Sequence, residues 1–235
     1  MAHVHNHCKW FVTVLLLVFS QFQGMAADWL CFTAETDDSK FWYDTTFVLY
    51  DILEVPTYDP DLWYSVDDGE TWTKLSPNEV VTLEKTGDKA YLKGVNPDGF
   101  SIYIPSYDRY VNNYAYSTFK MEGRIAASGN ILSLLYGDEE PDSEQMLPSY
   151  CFYGLFKGCE SLTQAPELPS TYLGYDCYSN MFNGCANLRE APALPAQSLR
   201  PSCYSAMYLY IILRIIMDTF CILGHIQLAT KFTLS

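Results

Sequence analysis

The chain has 235 residues, with 28 Asp and Glu against 14 Lys and Arg, a formal net charge of −14, and 49% hydrophobic residues. That length holds one large domain or two small ones. An acidic chain with no basic cluster lacks the electrostatic footprint of a nucleic-acid binder, and an anionic membrane surface is disfavoured for the same reason.

In chain order, residues 1–27 have the pattern of a secretory signal. His3, His5, His7 and Lys9 make a polar start, an apolar run follows from Trp10 to Phe19, and "QGMAAD" supplies small residues for cleavage after Ala26 or Ala27. The run is shorter than the roughly 20 apolar residues of a membrane span. Cys8 precedes it, so this is not the cysteine that is lipid-modified in a lipoprotein. The expectation is an exported, secreted or cell-surface chain starting near Asp28.

Residues 28–125 read as a β-sandwich-like domain, which makes the protein mainly β. Short apolar runs at 62–66, 71–75, 80–85, 89–94 and 100–104 are separated by "DDGE", "KTGD" and "NPDG". Short strands with turns at regular spacing and no helical period suggest about seven strands in a sandwich. All four Trp residues after the signal lie here, and most are expected to anchor its core rather than serve as ligand platforms.

Within it, "SVDDGETW" (65–72) has the S-x-D-x-G-x-T-W spacing of an Asp box. Ser65 and Thr71 face each other at the strand ends, and Asp67 accepts backbone N–H bonds across the turn. Gly69 supplies the positive φ of a short hairpin, and Trp72 lies back under it. The motif resembles the Asp boxes of sialidases, where it recurs on propeller blades away from the active site. One copy without a propeller period implies a structural hairpin.

Catalysis is not expected. Glycoside hydrolysis needs two carboxylates at a set separation, whereas the acidic stretches 59–61, 67–68 and 137–144 are polar and turn-like. No calcium-loop, phosphate-loop, G-x-S-x-G or H-E-x-x-H pattern is present. The sole histidine after the signal is His225, so a Ser or Cys nucleophile has no partner base. No cofactor and no metal site are expected, and a sialidase-like hydrolase is a distant third reading.

From residue 150 the chain repeats with a period of 26: Cys151, Phe156, Cys159, Leu162 and Leu168 recur as Cys177, Phe182, Cys185, Leu188 and Leu194, and Cys203 begins a third copy. A fixed period in this range marks stacked units that bury their apolar faces against one another. In "DCYSNMFNGC", Cys177, Met181 and Cys185 fall at i, i+4 and i+8. This spacing predicts a short helical segment capped by Asp176 and stopped at Gly184. The following "NLREAPALP" is expected to be extended, because its prolines forbid a helix interior. The ten residues matched between the first two copies, together with Met181, are the predicted repeat core. The cysteines are read as buried thiols, with disulfides between copies as the alternative.

"CFYGLFKGCESLTQAPELPS" and "CYSNMFNGCANLREAPALPA" resemble the repeats of BspA-type leucine-rich-repeat surface proteins of Bacteroides-like bacteria, and "AASGNILSLLYGD" (126–138) resembles the connector before them. The resemblance covers about 126–208. It implies a connector over 126–149, leucine-rich repeats (two complete and a partial third) over 150–206, and a non-catalytic adhesive face for host or bacterial surface proteins or glycans. Residues 207–235 depart from the pattern. Arg214 and Asp218 interrupt their apolar run, which argues against a membrane anchor and for a shifted reading frame that truncates the array. A carbohydrate-binding module in the β domain, with the tyrosine run 107–116, is the rival function.

Overall fold

The computed structural model describes residues 28–50, 58–104, 113–139 and 145–207. The expected signal, most of the segment 207–235 and the first half of the tyrosine run lie outside the described residues.

The protein is mainly β, and two sheets carry most of it. The smaller has the order β5 (Val81–Leu83), β2 (Ser39–Val48), β8 (Asn113–Glu122), β7 (Ser101–Ile104), all antiparallel. The larger has the order β10 (Leu162–Gln164), β9 (Ile125–Ser128), β1 (Leu30–Ala34), β6 (Lys89–Lys93), β3 (Trp63–Ser65), β4 (Thr73–Lys74). Strand alternation sends Phe32, Phe41 and Phe119 inward, where Phe32 meets the other two edge-to-face at 5.1 Å. The same alternation leaves Trp42 and Trp63 half-buried, as are Trp29 and Trp72. The core anchors are therefore phenylalanines, leucines and Tyr43 rather than the tryptophans.

The predicted connector begins inside the larger sheet. Residues 125–128 form β9 between β1 and β10, and the short helix α1 (Ser133–Tyr136) buries Leu134 and Leu135. Ser133 Oγ accepts the Leu30 N–H and donates to Leu92 O, each at 2.9 Å.

The first repeat copy adds a strand to the larger sheet and lies against the smaller. β10 pairs parallel with β9. The other half of the copy, residues 149–158, runs along β8 past the end of its pairing with β7, where the Phe119 N–H donates to Leu155 O at 2.8 Å. Thr118 Oγ1 donates to Gly154 O beside it at 3.0 Å. Phe156 then stacks on Phe119 at 5.6 Å, so one hydrophobic core runs from Leu30 to Met207.

The predicted helical segments are runs of turns. Positive φ recurs every fourth residue, at Tyr150, Gly154 and Gly158, then Asp176, Asn180 and Gly184, then Ser202 and Ala206. Each such residue turns the chain out of the helical path, so the N–H groups divide. Those of Tyr153, Leu155 and Lys157 close i→i−3 turns. Those of Tyr150, Phe152, Gly154, Phe156 and Gly158 point sideways to the carbonyls of Tyr175, Cys177, Ser179, Met181 and Asn183. Asp176, Tyr178 and Asn180 repeat this ladder toward the third copy. Asp176 is thus a left-handed turn residue and not a helix cap. The i, i+4, i+8 spacing of buried residues arises from a true period of four.

Of the predicted repeat core, Cys151, Phe156, Cys159, Leu162, Leu168, Cys177, Met181, Phe182, Cys185 and Leu188 are buried. Leu194 is not; it is 40% exposed. Its equivalent Leu168 follows Glu167, whose backbone is hydrogen-bonded to Gly129 and Ile131, and this presses the first copy onto the sheet. The six described cysteines are free and buried. Cys159 Sγ donates to Phe119 O and Cys185 Sγ to Phe156 O, at 2.8 and 3.0 Å. Burial pushes both thiols up.

Candidate functional site: a tyrosine surface beside the first repeat

The Asp box lies on the β3–β4 hairpin and is built as its spacing predicts. Ser65 Oγ donates to Asp67 Oδ1 at 2.6 Å and accepts the Gly69 N–H at 2.9 Å. The Thr71 N–H and Oγ1 donate to the two Asp67 oxygens at 2.9 and 2.5 Å. The Ser65 and Thr71 bonds hold the carboxyl down at about 2. Trp72 Nε1 donates to Gly69 O at 3.1 Å.

Gly69 has φ +89°, and a Cβ there would meet the Trp29 ring at 2.7 Å. Trp29 in turn packs edge-on to Trp72 at 5.0 Å. Lys93 fills the remaining space, 3.9 Å from the Trp72 ring centroid and 2.6 Å from Asp138 Oδ2. A cation–π pair and a carboxylate are thereby satisfied inside the cluster.

A second group of aromatics lies where β7 and β8 meet the first copy. Tyr103 and Tyr114 are cross-strand partners, and Tyr116 follows two residues on, on the same sheet face. Tyr150 and Tyr153 reach this face from the turn run. Tyr150 stacks on Tyr103 at 5.9 Å and on Tyr114 at 5.3 Å, while Tyr153 meets Tyr114 and Tyr116 edge-on at 5.0 and 5.3 Å. Tyr150 is buried by this stacking, Tyr114, Tyr116 and Tyr153 are half-buried, and Tyr103 is 43% exposed. Burial pushes the Tyr150 hydroxyl up to about 12, and the Tyr114 hydroxyl is raised further by burial and by its bond with Tyr153. Both hydroxyls stay protonated and neutral at any physiological pH.

The 26-residue period continues this surface sideways. The positions of Tyr150, Tyr153 and Gly154 become Asp176, Ser179 and Asn180, then Ser202, Ser205 and Ala206. Asn180 Nδ2 donates to the Tyr153 hydroxyl at 3.2 Å and Asn183 Nδ2 to Asn180 Oδ1 at 3.1 Å, which orients both amides. The aromatic strip therefore gives way to a strip of short polar side chains. Only Tyr114 and Tyr116 of the predicted tyrosine run lie in the described part of it. Tyr103, Tyr150 and Tyr153 escape a sequence reading because they come from separate stretches.

A shallow depression of about 380 Å³ lies on the other half of the copies, lined by Thr163, Gln164, Ala165, Arg189, Glu190, Ala191 and Pro192. Glu35 engages Arg189 at 3.5 Å and Arg124 at 3.4 Å near it. Among the described residues no group of three or more His, Cys, Asp or Glu is placed to hold a metal ion, and no helix is long and apolar enough to cross a membrane. Comparison with protein-family models, with curated proteins and with solved structures returns no match.

Proposed function

We propose that this is an exported, non-catalytic cell-surface protein that binds a host or bacterial surface protein or glycan through the face formed by its repeat copies. In this reading a β-sandwich-like domain carries a leucine-rich-repeat segment of the BspA type. The observation that carries it is the tyrosine strip continued by Asp176, Asn180 and Asn183, laid side by side by the inter-copy ladder. Tyrosine supplies large contact area at low entropic cost, and short amides and hydroxyls supply adaptable hydrogen bonds. A second reading, a carbohydrate-binding module confined to the β domain, is favoured by the Tyr103–Tyr114 pair, which belongs wholly to that segment. A glycan array and a matrix-protein panel, both probed with the full chain and with Tyr153→Ala, test the proposal. Binding in either panel that Tyr153→Ala weakens is the expected result. Silence in both panels sinks it.

A further inference from the structure

We infer that the tyrosine strip is a binding site for a neutral oligosaccharide; this rests on the surface-binding reading above and names its ligand class. A sugar ring presents an apolar C–H face and a rim of hydroxyls, so a site for it needs an open aromatic face beside fixed, uncharged donors and acceptors. Tyr103 supplies the open ring, 43% exposed and held from behind by Tyr150. Tyr114, Tyr116 and Tyr153 pack beside it, half-buried, with Tyr153 edge-on to the other two.

Asn180 and Asn183 stand beyond it with their amides oriented by mutual bonding and by Tyr153. The left-handed backbone at Asp176 and Asn180, tied to the third copy through the bonds to Pro201 and Ser205, fixes where these side chains start. Such preorganisation lowers the ordering cost of binding.

Charge selects the class of glycan. The chain carries −14 overall, and Asp176, the equivalent of Tyr150 in the next copy, adds a carboxylate beside the strip. A sulfated or carboxylated glycan would meet repulsion there, whereas a neutral one meets none.

The test is native affinity electrophoresis of the full chain through gels containing β-glucan, xylan, mannan or heparin. The expected result is retardation by at least one of the three neutral polysaccharides, little changed by salt, and none by heparin. Tyr103→Ala should weaken it about tenfold or more while Tyr103→Phe keeps most of it, both with the melting temperature of the unsubstituted chain. Retardation by heparin alone, by no neutral polysaccharide, or equally with Tyr103→Ala would overturn the inference. Binding to a matrix protein without any neutral polysaccharide would remove the glycan assignment and leave the broader surface-binding proposal standing.

Discussion

Asp67 shows how much one carboxylate organises. It takes hydrogen bonds from Ser65 and Thr71, and these hold its acid form off until about pH 2. A carboxyl depressed in the fold contributes stability that is complete above its unfolded value near 4 and disappears as pH falls through the folded one. The Gly69 and Thr71 amide resonances are therefore expected to titrate with a midpoint near pH 2, and Asp67→Asn should abolish that transition. Asp176 has the opposite sign. Burial raises its carboxyl, so ionisation costs the fold stability at neutral pH. Asparagine also tolerates the left-handed φ of 52° found there. Asp176→Asn should raise the melting temperature at pH 7, with the gain vanishing below about pH 3.5. An unchanged melting temperature at pH 7 would count against the burial argument. At Gly69, Val combines positive φ with a clash on Trp29 and should cost about 2–4 kcal/mol in chemical denaturation.

The turn runs are where element-level reading and structure part. Apolar residues at i, i+4 and i+8 fit a helix of 3.6 residues per turn over so short a span, and they fit a four-residue turn period equally well. The deciding signal is the Gly, Asn and Asp residues at the same four-residue interval, 154, 158, 176, 180 and 184, all of which take positive φ. Gly154→Ala separates the two structures by sign. In a helix interior alanine would stabilise by about 0.5–1 kcal/mol. At φ +64°, with its Cβ 3.4 Å from the Tyr116 ring, it should destabilise by about 1–2 kcal/mol. The β elements were more legible. Runs read at 62–66, 71–75, 80–85, 89–94 and 100–104 each contain an observed strand, because alternation and turn residues act locally. The long central strands β2 and β8 are a different case: their nine-pair register, Lys40 opposite Glu122 through Val48 opposite Tyr114, is set by partners more than 60 residues away.

At the scale of the molecule, the two sheets and the repeats share one interior. Phe156 bridges them, stacked between Phe119 at 5.6 Å and Phe182 at 5.6 Å and touching Phe32 at 6.2 Å. Phe156→Ala should cost about 3–5 kcal/mol and unfold both parts together in a single transition. For the same reason a chain ending at residue 125 should show no cooperative melting. It loses β9, which pairs along β1, together with the cover that Leu155 and Phe156 give β8. Two separate transitions, or a stably folded 28–125 fragment, would show that the shared core is dispensable. The sequence by itself determined the period of 26, the cysteine and aromatic columns and the Asp-box hairpin. These depend on spacing within a few residues or on simple repetition. Only the tertiary structure decided that the first copy adds a strand to the larger sheet and lies against the smaller, that Leu194 is left at the surface while Leu168 is buried, and that five tyrosines from three stretches converge. Each of these depends on which distant backbone edge remains free to be paired, and no local pattern encodes that.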